Sequence, residues 1–287
     1  MKLTKDTKIL IIGLGVIGGS YAAALTKAGY HVRCITKAQA DIDYALARGM
    51  IECGTTEVDP GLIGDAELMV FAIYPGAFVE WAENYGHMIR PGTLVTDVTG
   101  VKSDIVPRVQ ALLPRGVEFI AAHPMAGREK SGVEFSDPAV FHGANYIVTP
   151  TERNTEEAID LCCELGRVLG FYRISILSPA EHDRMIAFLS QLTHCIAVSL
   201  MNAESAGGLE KYTGDSFRDL TRIAKINDEM WSELFLRNRD ALISEMDAFE
   251  KEFHSLRDMI ASGEREELRE KMRRATAKRV LFDKPVI

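Results

Sequence analysis

Residues 8–20 read KILIIGLGVIGGS, and this stretch decides the fold. Its four consecutive branched apolar residues predict a strand buried on both faces, as in a parallel sheet. Gly13, Gly15 and Gly18 follow with the spacing G-x-G-x-x-G, and a helix-like run comes next. In this spacing the first glycine permits a tight turn, the second lets a pyrophosphate approach the backbone, and the third lets the helix pack against the strand.

The start of that helix is the predicted phosphate site. The N–H groups of Val16 and Ile17 lie in its first turn, where they lack intrahelical partners and carry a partial positive charge. The glycine spacing alone is weak evidence, but here it lies between a buried strand and a helix. The sequence therefore predicts dinucleotide binding.

The residues at the end of the second strand address the choice of coenzyme. An acidic residue at this point would bind the ribose 2′-hydroxyl of NAD. The chain instead has Thr36 and Lys37, with Arg33 nearby. A hydroxyl beside a cation suits a 2′-phosphate, so NADP is favoured over NAD. The alternative is that these residues form only a polar turn.

Composition narrows the protein class. The 287 residues suffice for one large domain or two smaller ones. The formal charge of −8 disfavours general binding to nucleic acid or to an acidic membrane. Five cysteines without a C-x-x-C motif suit a reducing compartment and predict no metal site. No signal peptide and no apolar run of about 20 residues is evident, which predicts a cytoplasmic protein.

Strands and helices alternate up to residue 176. This predicts an α/β fold with a doubly wound, mainly parallel sheet over residues 1–177. Asp97 ends the strand at residues 93–97 and Thr99 follows it, at the sheet edge where ligands bind, so both should line the nicotinamide pocket.

Residues 178–287 are predicted to form an all-helical domain. Apolar residues in this part recur at helical spacing, and the later ones alternate gaps of four and three. These later residues are Leu242, Met246, Phe249, Phe253, Leu256 and Ile260. Such a seam closes on itself or on a second subunit, and we favour a homodimer through this domain.

Three polar side chains are candidates for catalysis. His123 follows a predicted strand at residues 117–121, and histidine can polarise or deprotonate a hydroxyl because its pKa lies near the working pH. The alternative is a loop histidine satisfied by the backbone. Ser190 and His194 lie one helical turn apart and suit substrate hydrogen bonding, although such a pair also occurs on a solvated helix face.

A second group suits substrate binding and support. Arg222 can bind a carboxylate with two parallel hydrogen bonds, and Asp219 could orient it. The alternative is a surface ion pair. His182 and Asp183 are interpreted as a capping and orienting pair at the start of a helix.

Together these motifs resemble the prephenate/arogenate dehydrogenase family of tyrosine biosynthesis. The resemblance covers essentially the whole chain. Its carriers are GLGVIGGS at 13–20, TD at 96–97 with VK at 101–102, HPMAG at 123–127, EHD at 181–183, SQLTH at 190–194 and FRD-x-TRIA at 217–224.

The resemblance implies oxidative decarboxylation of prephenate to 4-hydroxyphenylpyruvate, with hydride transfer to NAD(P)+. It implies that His123 binds the ring hydroxyl and that Arg222 binds a substrate carboxylate. Ser190 and His194 would face nicotinamide and substrate. Glu129 matches an acidic residue that gates the pocket. Trp231 matches an aromatic that reaches towards the neighbouring subunit, although a core tryptophan is equally consistent.

The chain departs from the family pattern beside the catalytic histidine. The family has Asp-x-Gly-Ser-Val-Lys where this chain reads DVTGVK at 97–102, so the serine that assists the histidine is missing. We hypothesise that Thr99 supplies the hydroxyl instead. In the SQLTH segment, Gln191 and Thr193 replace a histidine and a proline of the family. Directly before Phe217, Asp215 and Ser216 stand where the family usually has glycines.

Three other functions are weighed. Arogenate would replace prephenate if the pocket were acidic, and the presence of His194 favours prephenate. A β-hydroxyacid-type dehydrogenase would need a catalytic lysine in the helical domain, for which Lys211 and Lys225 are available, but it lacks the HPMAG and TRIA segments. A non-enzymatic dinucleotide-sensing dimer would be expected to lack His123 or Arg222.

Overall fold

The computed structural model describes residues 3–127, 130–203 and 207–283. These residues form two compact units that divide after Arg239. The division differs from the domain boundary predicted after residue 177, which stays a prediction.

The first unit begins with alternating strands and helices. They are β1 (Lys8–Ile12), α1 (Val16–Lys27), β2 (His31–Ile35), α2 (Gln39–Ala47), β3 (Cys53–Thr55), α3 (Pro60–Asp65), β4 (Leu68–Phe71), α4 (Pro75–Tyr85), β5 (Leu94–Asp97), α5 (Ile105–Leu112) and β6 (Glu118–Phe119). The six strands form one parallel sheet in the order β3-β2-β1-β4-β5-β6.

The central strands are buried on both faces of this sheet. Every residue of β4 and β5, and all of β1 after Lys8, is buried. Two apolar clusters, one on each set of alternating β1 residues, make up the core. The predicted doubly wound α/β fold is confirmed, and the continuous apolar runs reflect burial on two faces.

A second sheet follows, and here the prediction needs correction. The strand expected at residues 117–121 is interrupted at Ile120. Its first part is β6, whereas β7 (Ala121–Met125) joins β8 (Asn145–Thr149) and β9 (Arg173–Ile176) in a separate three-stranded sheet. The pair β7–β8 is antiparallel and β8–β9 is parallel. Between β8 and β9 lies α6 (Glu156–Val168), which packs its buried face on the core.

The rest of the first unit is helical, as predicted. It contains α7 (Pro179–Ile186), a π-helical turn (Ala187–Leu192), α8 (Thr193–Asn202), α9 (Asp215–Thr221) and α10 (Asp228–Arg237). Ser178 caps α7: its hydroxyl accepts from the Glu181 N–H, and the Glu181 carboxylate accepts from the Ser178 N–H. The expectation that His182 and Asp183 cap this helix is therefore wrong.

The continuous helix Pro179–Asn202 is long and apolar enough to cross a membrane, judged by length and composition alone. One such helix is weak evidence for a membrane span, since the core helices of soluble proteins pass the same test. Only 28% of its most apolar window is buried. The predicted absence of a membrane span stays a prediction.

The second unit is formed by most of α11 (Arg239–Ser262) and by α12 (Arg265–Val280). The Lys271 ammonium, 2.8 Å from a Glu252 carboxylate oxygen, ties the two helices together. The apolar seam predicted along α11 is largely uncovered, because Phe249, Phe253 and Ile260 are all exposed. A seam that stays open in a single chain favours burial against a second copy.

Candidate active site

The glycine loop after β1 has the geometry that dinucleotide binding needs. Gly13 has a φ of +94°, and a Cβ there would lie 2.7 Å from the Ala72 carbonyl oxygen. A Cβ on Gly18 would lie 2.0 Å from the Gly13 carbonyl oxygen, whereas one on Gly15 would meet open space. The first and third glycines thus permit the turn and the close packing, and the second leaves room for a ligand.

The N-terminus of α1 is suited to an anion. Gly15 is the N-cap residue, and no side chain caps the helix or places an acidic group in its first turn. The first-turn N–H groups, which include those of Val16 and Ile17, have no partner within a helix. The open space at Gly15 and this uncapped helix end fit the pyrophosphate of a dinucleotide.

The end of β2, where the sequence predicted that Thr36, Lys37 and the nearby Arg33 select the coenzyme, agrees only in part with that prediction. The Thr36 hydroxyl accepts a hydrogen bond from the Leu14 N–H at 3.3 Å, so it supports the glycine loop, and Lys37 is exposed. Arg33 does not join them. Its guanidinium lies 2.8 Å from a carboxylate oxygen of Asp65 in α3.

A buried ion pair lies at the carboxyl end of β5. The Lys102 Nζ donates to the Asp97 carboxylate and to the Ala122 carbonyl, both at 2.7 Å. Asp97 also accepts from the Ala122 and Thr99 N–H groups, each at 3.0 Å. Neither side chain of the ion pair has any exposed surface. Asp97, which the sequence predicted to line the cofactor pocket, is fully buried here and ties β5 to β7.

The expected role of Thr99 also needs correction. Its hydroxyl is bonded to the Asp97 carboxylate and accepts from Lys102 at 3.2 Å. It therefore supports the ion pair rather than His123. The position that faces the imidazole is Gly100, where a Cβ would lie 3.9 Å from His123 Cε1. The local bond to Asp97, only two residues away, outcompetes the longer reach to His123.

Replacing Thr99 with valine keeps the shape of the side chain and removes its hydroxyl. We expect the free energy of unfolding to fall by about 1–3 kcal/mol, because Lys102 and Asp97 each lose a buried partner. We also expect kcat to stay within about twofold of the wild type, since the hydroxyl does not reach His123. Denaturant unfolding and initial rates test both points. Thr276→Val on exposed α12 is the matched control, with an effect below about 0.5 kcal/mol.

His123 lies within β7 and is held from α7. The His123 Nδ1 and the His182 Nε2 are 2.8 Å apart, and the His182 Nδ1 is 2.8 Å from the Asp183 carboxylate. His182 has no exposed surface, whereas His123 is only partly buried. The strand thus presents His123 with one ring nitrogen engaged inside the protein.

The electrostatics keep both imidazoles neutral. Burial, followed by the neighbouring His182 imidazole and the Lys102 ammonium, holds the pKa of His123 well below its usual value. Burial also lowers the pKa of His182, against the opposing effect of the Asp183 carboxylate. Burial opposes ionisation of Asp183, but the hydrogen bonds from His182 and Ser103 outweigh it and leave the pKa of this carboxyl below its usual value.

Asp183 is itself anchored from two sides. Its carboxylate accepts from the Lys102 N–H at 2.8 Å and from the Ser103 N–H at 2.7 Å. The Asn238 amide, just after α10, donates to the Asp183 carbonyl and to the Gln191 side chain, both at 2.8 Å. These bonds fix α7 against the loop that precedes α5.

The π-helical turn carries the next candidates. Ser190 lies in it and is half-buried. His194 donates from Nδ1 to the Ser190 carbonyl at 2.8 Å and stacks on Trp231, with ring centroids 3.7 Å apart. Trp231 thus packs within its own chain. Single π-helical turns inside α-helices occur frequently at functional sites, which agrees with the role predicted for Ser190 and His194.

The predicted carboxylate site lies at the end of α9, and the turn that Arg222 begins packs against α8. Arg222 begins a short 3-10 turn directly after α9, and Asp219 is in the last turn of α9. Both residues are exposed. Glu129 lies outside the described residues, and its gating role stays a prediction.

Sequence reasoning missed the partner of His123. It singled out His182 and Asp183 but interpreted them as a helix cap, and it gave Lys102 no role of its own. One signal was available: an H-D pair inside an apolar helix face predicts burial, and buried polar groups need partners. The sequence could not predict that this partner is His123, because 59 residues separate it from His182.

Comparison with protein families agrees with this arrangement. The family model described as "Prephenate dehydrogenase, nucleotide-binding domain" matches residues 21–170. A second family model, "Prephenate dehydrogenase, dimerization domain", matches residues 178–274. The chain belongs to the prephenate dehydrogenase family. It is accordingly an NAD(P)-dependent oxidoreductase, and the expected resemblance is confirmed.

Individual relatives in this family match along nearly the whole chain. The prephenate dehydrogenase of Bacillus subtilis is 30% identical over 93% of this chain and 74% of its own length. The cyclohexadienyl dehydrogenase of Zymomonas mobilis is 30% identical over 91% of this chain and 90% of its own. The crystal structure of Aquifex aeolicus prephenate dehydrogenase, in complex with hydroxyphenyl propionate and NAD+, is 29% identical. Its TM-score is 0.89, and the match covers 99% of this chain and 100% of that one.

Structures of 3-hydroxyisobutyrate dehydrogenases are also similar, at 17% and 15% identity. Likeness at that level shows the fold alone. The β-hydroxyacid alternative therefore gains no support, and Lys211 and Lys225, the lysines it would use, are both exposed.

Proposed function

We propose that this protein oxidatively decarboxylates prephenate to 4-hydroxyphenylpyruvate in tyrosine biosynthesis, with NAD(P)+ as hydride acceptor. The observation that carries the proposal is His123, which is partly exposed, neutral and held at one nitrogen by His182. Family membership and the names of the relatives support prephenate as the substrate.

His123 acts as the base in this proposal. Its Nδ1 is engaged by His182, so Nε2 is the nitrogen that accepts the proton of the ring hydroxyl. As the hydroxyl becomes a carbonyl, the hydrogen on the same ring carbon leaves as hydride. The ring carboxylate leaves as carbon dioxide, and the electrons of its bond to the ring complete the aromatic system. The resulting phenolate oxygen then takes a proton back. The bound dinucleotide supplies the acceptor for the hydride.

Other residues hold the substrate and the dinucleotide. Arg222, supported by Asp219, binds a substrate carboxylate, while Ser190 and His194 border the reacting ring. The stack of His194 on Trp231 limits the rotation of the imidazole. The α1 N-terminus holds the pyrophosphate. In this scheme residues 1–177 bind the dinucleotide, and residues 178–287 bind the substrate and form the dimer.

The deciding experiment compares initial rates on prephenate and arogenate, each with NAD and with NADP. We expect prephenate to give the higher kcat/KM. Arogenate as the better substrate would replace the proposed reaction by direct formation of tyrosine. Turnover of neither substrate would refute the proposal.

We also propose that NADP is preferred over NAD. The end of β2 carries no acidic side chain that would bind a 2′-hydroxyl, and the exposed Lys37 can pair with a 2′-phosphate.

Thr36→Asp tests this preference. Aspartate can still accept the hydrogen bond from Leu14, but its charge repels a 2′-phosphate and suits a 2′-hydroxyl. We expect the ratio of kcat/KM for NADP over NAD to fall at least about tenfold, the equivalent of about 1.4 kcal/mol. Lys37→Ala, measured alongside, should raise the KM for NADP and leave that for NAD unchanged. An unaltered ratio in both variants would contradict the preference.

A cytoplasmic homodimer completes the proposal. The match to a dimerization domain over residues 178–274 supports it, as do the exposed apolar side chains of α9 and α11. Light scattering on the purified protein should give about twice the mass of 31.8 kDa. A stable monomer would exclude this assembly.

A further inference from the structure

Hydrogen bonds link Asp183 to His182 and His182 to His123. Which nitrogen donates in each bond is determined by the ionisation of Asp183. Asp183 accepts from the Lys102 and Ser103 N–H groups and is therefore ionised, because a protonated carboxyl would lose part of that bonding. An ionised carboxylate can only accept. The proton between Asp183 and His182 therefore belongs to His182 Nδ1.

The same logic extends to the second imidazole. A neutral His182 with its proton on Nδ1 has a lone pair on Nε2, so it accepts from His123 Nδ1 across their 2.8 Å contact. A neutral His123 then carries its lone pair on Nε2. The opposite direction would need either a protonated Asp183 or a His182 cation, and burial of His182 without exposed surface disfavours the cation.

We propose that Asp183 and His182 are positioning residues that hold His123 as the Nδ1–H tautomer, with the Nε2 lone pair directed to the substrate. The inference rests on the proposed function only for the identity of the proton donor. A base in the other tautomer would present an N–H to the hydroxyl and could not take its proton.

The anchoring of this hydrogen-bonded chain explains how it can hold its orientation. Asp183 is bonded to backbone N–H groups ahead of α5, and its carbonyl is bonded by Asn238. The hydrogen bonds to His123 therefore start from a residue that is fixed both by the loop before α5 and by Asn238 after α10. This hydrogen-bonded chain also stays intact when His123 takes a proton on Nε2, because Nδ1–H continues to donate to His182.

The tautomer can be measured without substrate. We would record nitrogen NMR spectra of the ligand-free enzyme labelled with 15N-histidine, above the usual histidine pKa of 6.5. The His123→Asn and His182→Gln variants assign the signals. We expect both histidines to be neutral Nδ1–H tautomers. An Nε2–H tautomer or a cation at either position would overturn the inference.

A matched pair of variants tests the effect on turnover. His182→Gln keeps an oxygen that can accept from His123 Nδ1–H, whereas His182→Leu does not. We expect kcat to fall by about 10²-fold in the leucine variant and by no more than about tenfold in the glutamine variant. KM should stay within about twofold, because His182 does not reach the substrate. His87→Gln, on an exposed histidine, is the control and should match the wild type.

The two measurements separate this inference from the proposed function. Equal losses of kcat in the leucine and glutamine variants, with folding unchanged by circular dichroism, would reduce His182 to a structural role. If neither prephenate nor arogenate is turned over, the proposed function fails, while the NMR spectra still decide the tautomer.

Discussion

Replacing His123 with asparagine is expected to lower kcat by about 10²- to 10⁴-fold, the range for loss of a general base. The loss should appear mainly in kcat, because the contribution of the base grows as the proton moves in the transition state. Steady-state rates with saturating coenzyme measure it. His87→Asn changes an exposed histidine in the same way and should leave kcat unaltered.

The pH profile gives an independent check on the same residue. His123 must be neutral to accept a proton, so kcat/KM falls as the pH falls through its pKa. Burial and the facing groups His182 and Lys102 lower that pKa, which places the acid limb of the wild type below pH 6.5. An acid limb above 6.5, or unchanged kcat in His123→Asn, would remove His123 from its assigned role.

Replacing Lys102 with methionine is expected to reduce the free energy of unfolding by about 3–5 kcal/mol. The substitution keeps most of the side-chain volume but leaves the Asp97 carboxylate buried without its counter-charge. A charge left unpaired in the interior costs far more than the pair contributes when intact. Denaturant unfolding monitored by circular dichroism measures the change.

A surface pair in the same chain provides the control. Lys8 lies 2.5 Å from a carboxylate oxygen of Asp65, and both side chains are well exposed. Lys8→Met should therefore cost less than about 1 kcal/mol. Similar losses in the two variants would contradict the view that burial makes the Asp97–Lys102 pair indispensable.

These two experiments probe different functions of one region. The loop between β5 and α5 holds the Asp97–Lys102 pair and also donates two backbone N–H groups to Asp183. Stability and orientation of His123 are thus coupled through adjacent residues. Methionine at position 102 keeps the backbone N–H that donates to Asp183, so Lys102→Met removes the buried ammonium and leaves this anchor of Asp183 in place.

Local patterns determined much of this protein. The positive φ of Gly13 and the close approach of Gly18 to the Gly13 carbonyl are local features of the chain, so residues 8–20 alone predicted the dinucleotide loop. The helical spacing of apolar residues after residue 178 predicted helices for the same reason. The motifs around His123 and Arg222 were enough to identify the family.

Tertiary structure decided what depends on contacts between distant segments. Sequence alone did not reveal that the strand before His123 changes sheets at Ile120, because Phe119, Ile120 and Ala121 form an unbroken apolar run with no turn residue between them. It also placed Asp97 and Thr99 at a ligand, whereas burial of Lys102 draws both to the ammonium. The partner of His123 comes from a helix 59 residues later. A buried polar group takes whichever partner the packed chain brings within hydrogen-bonding distance, and only the fold decides which one that is.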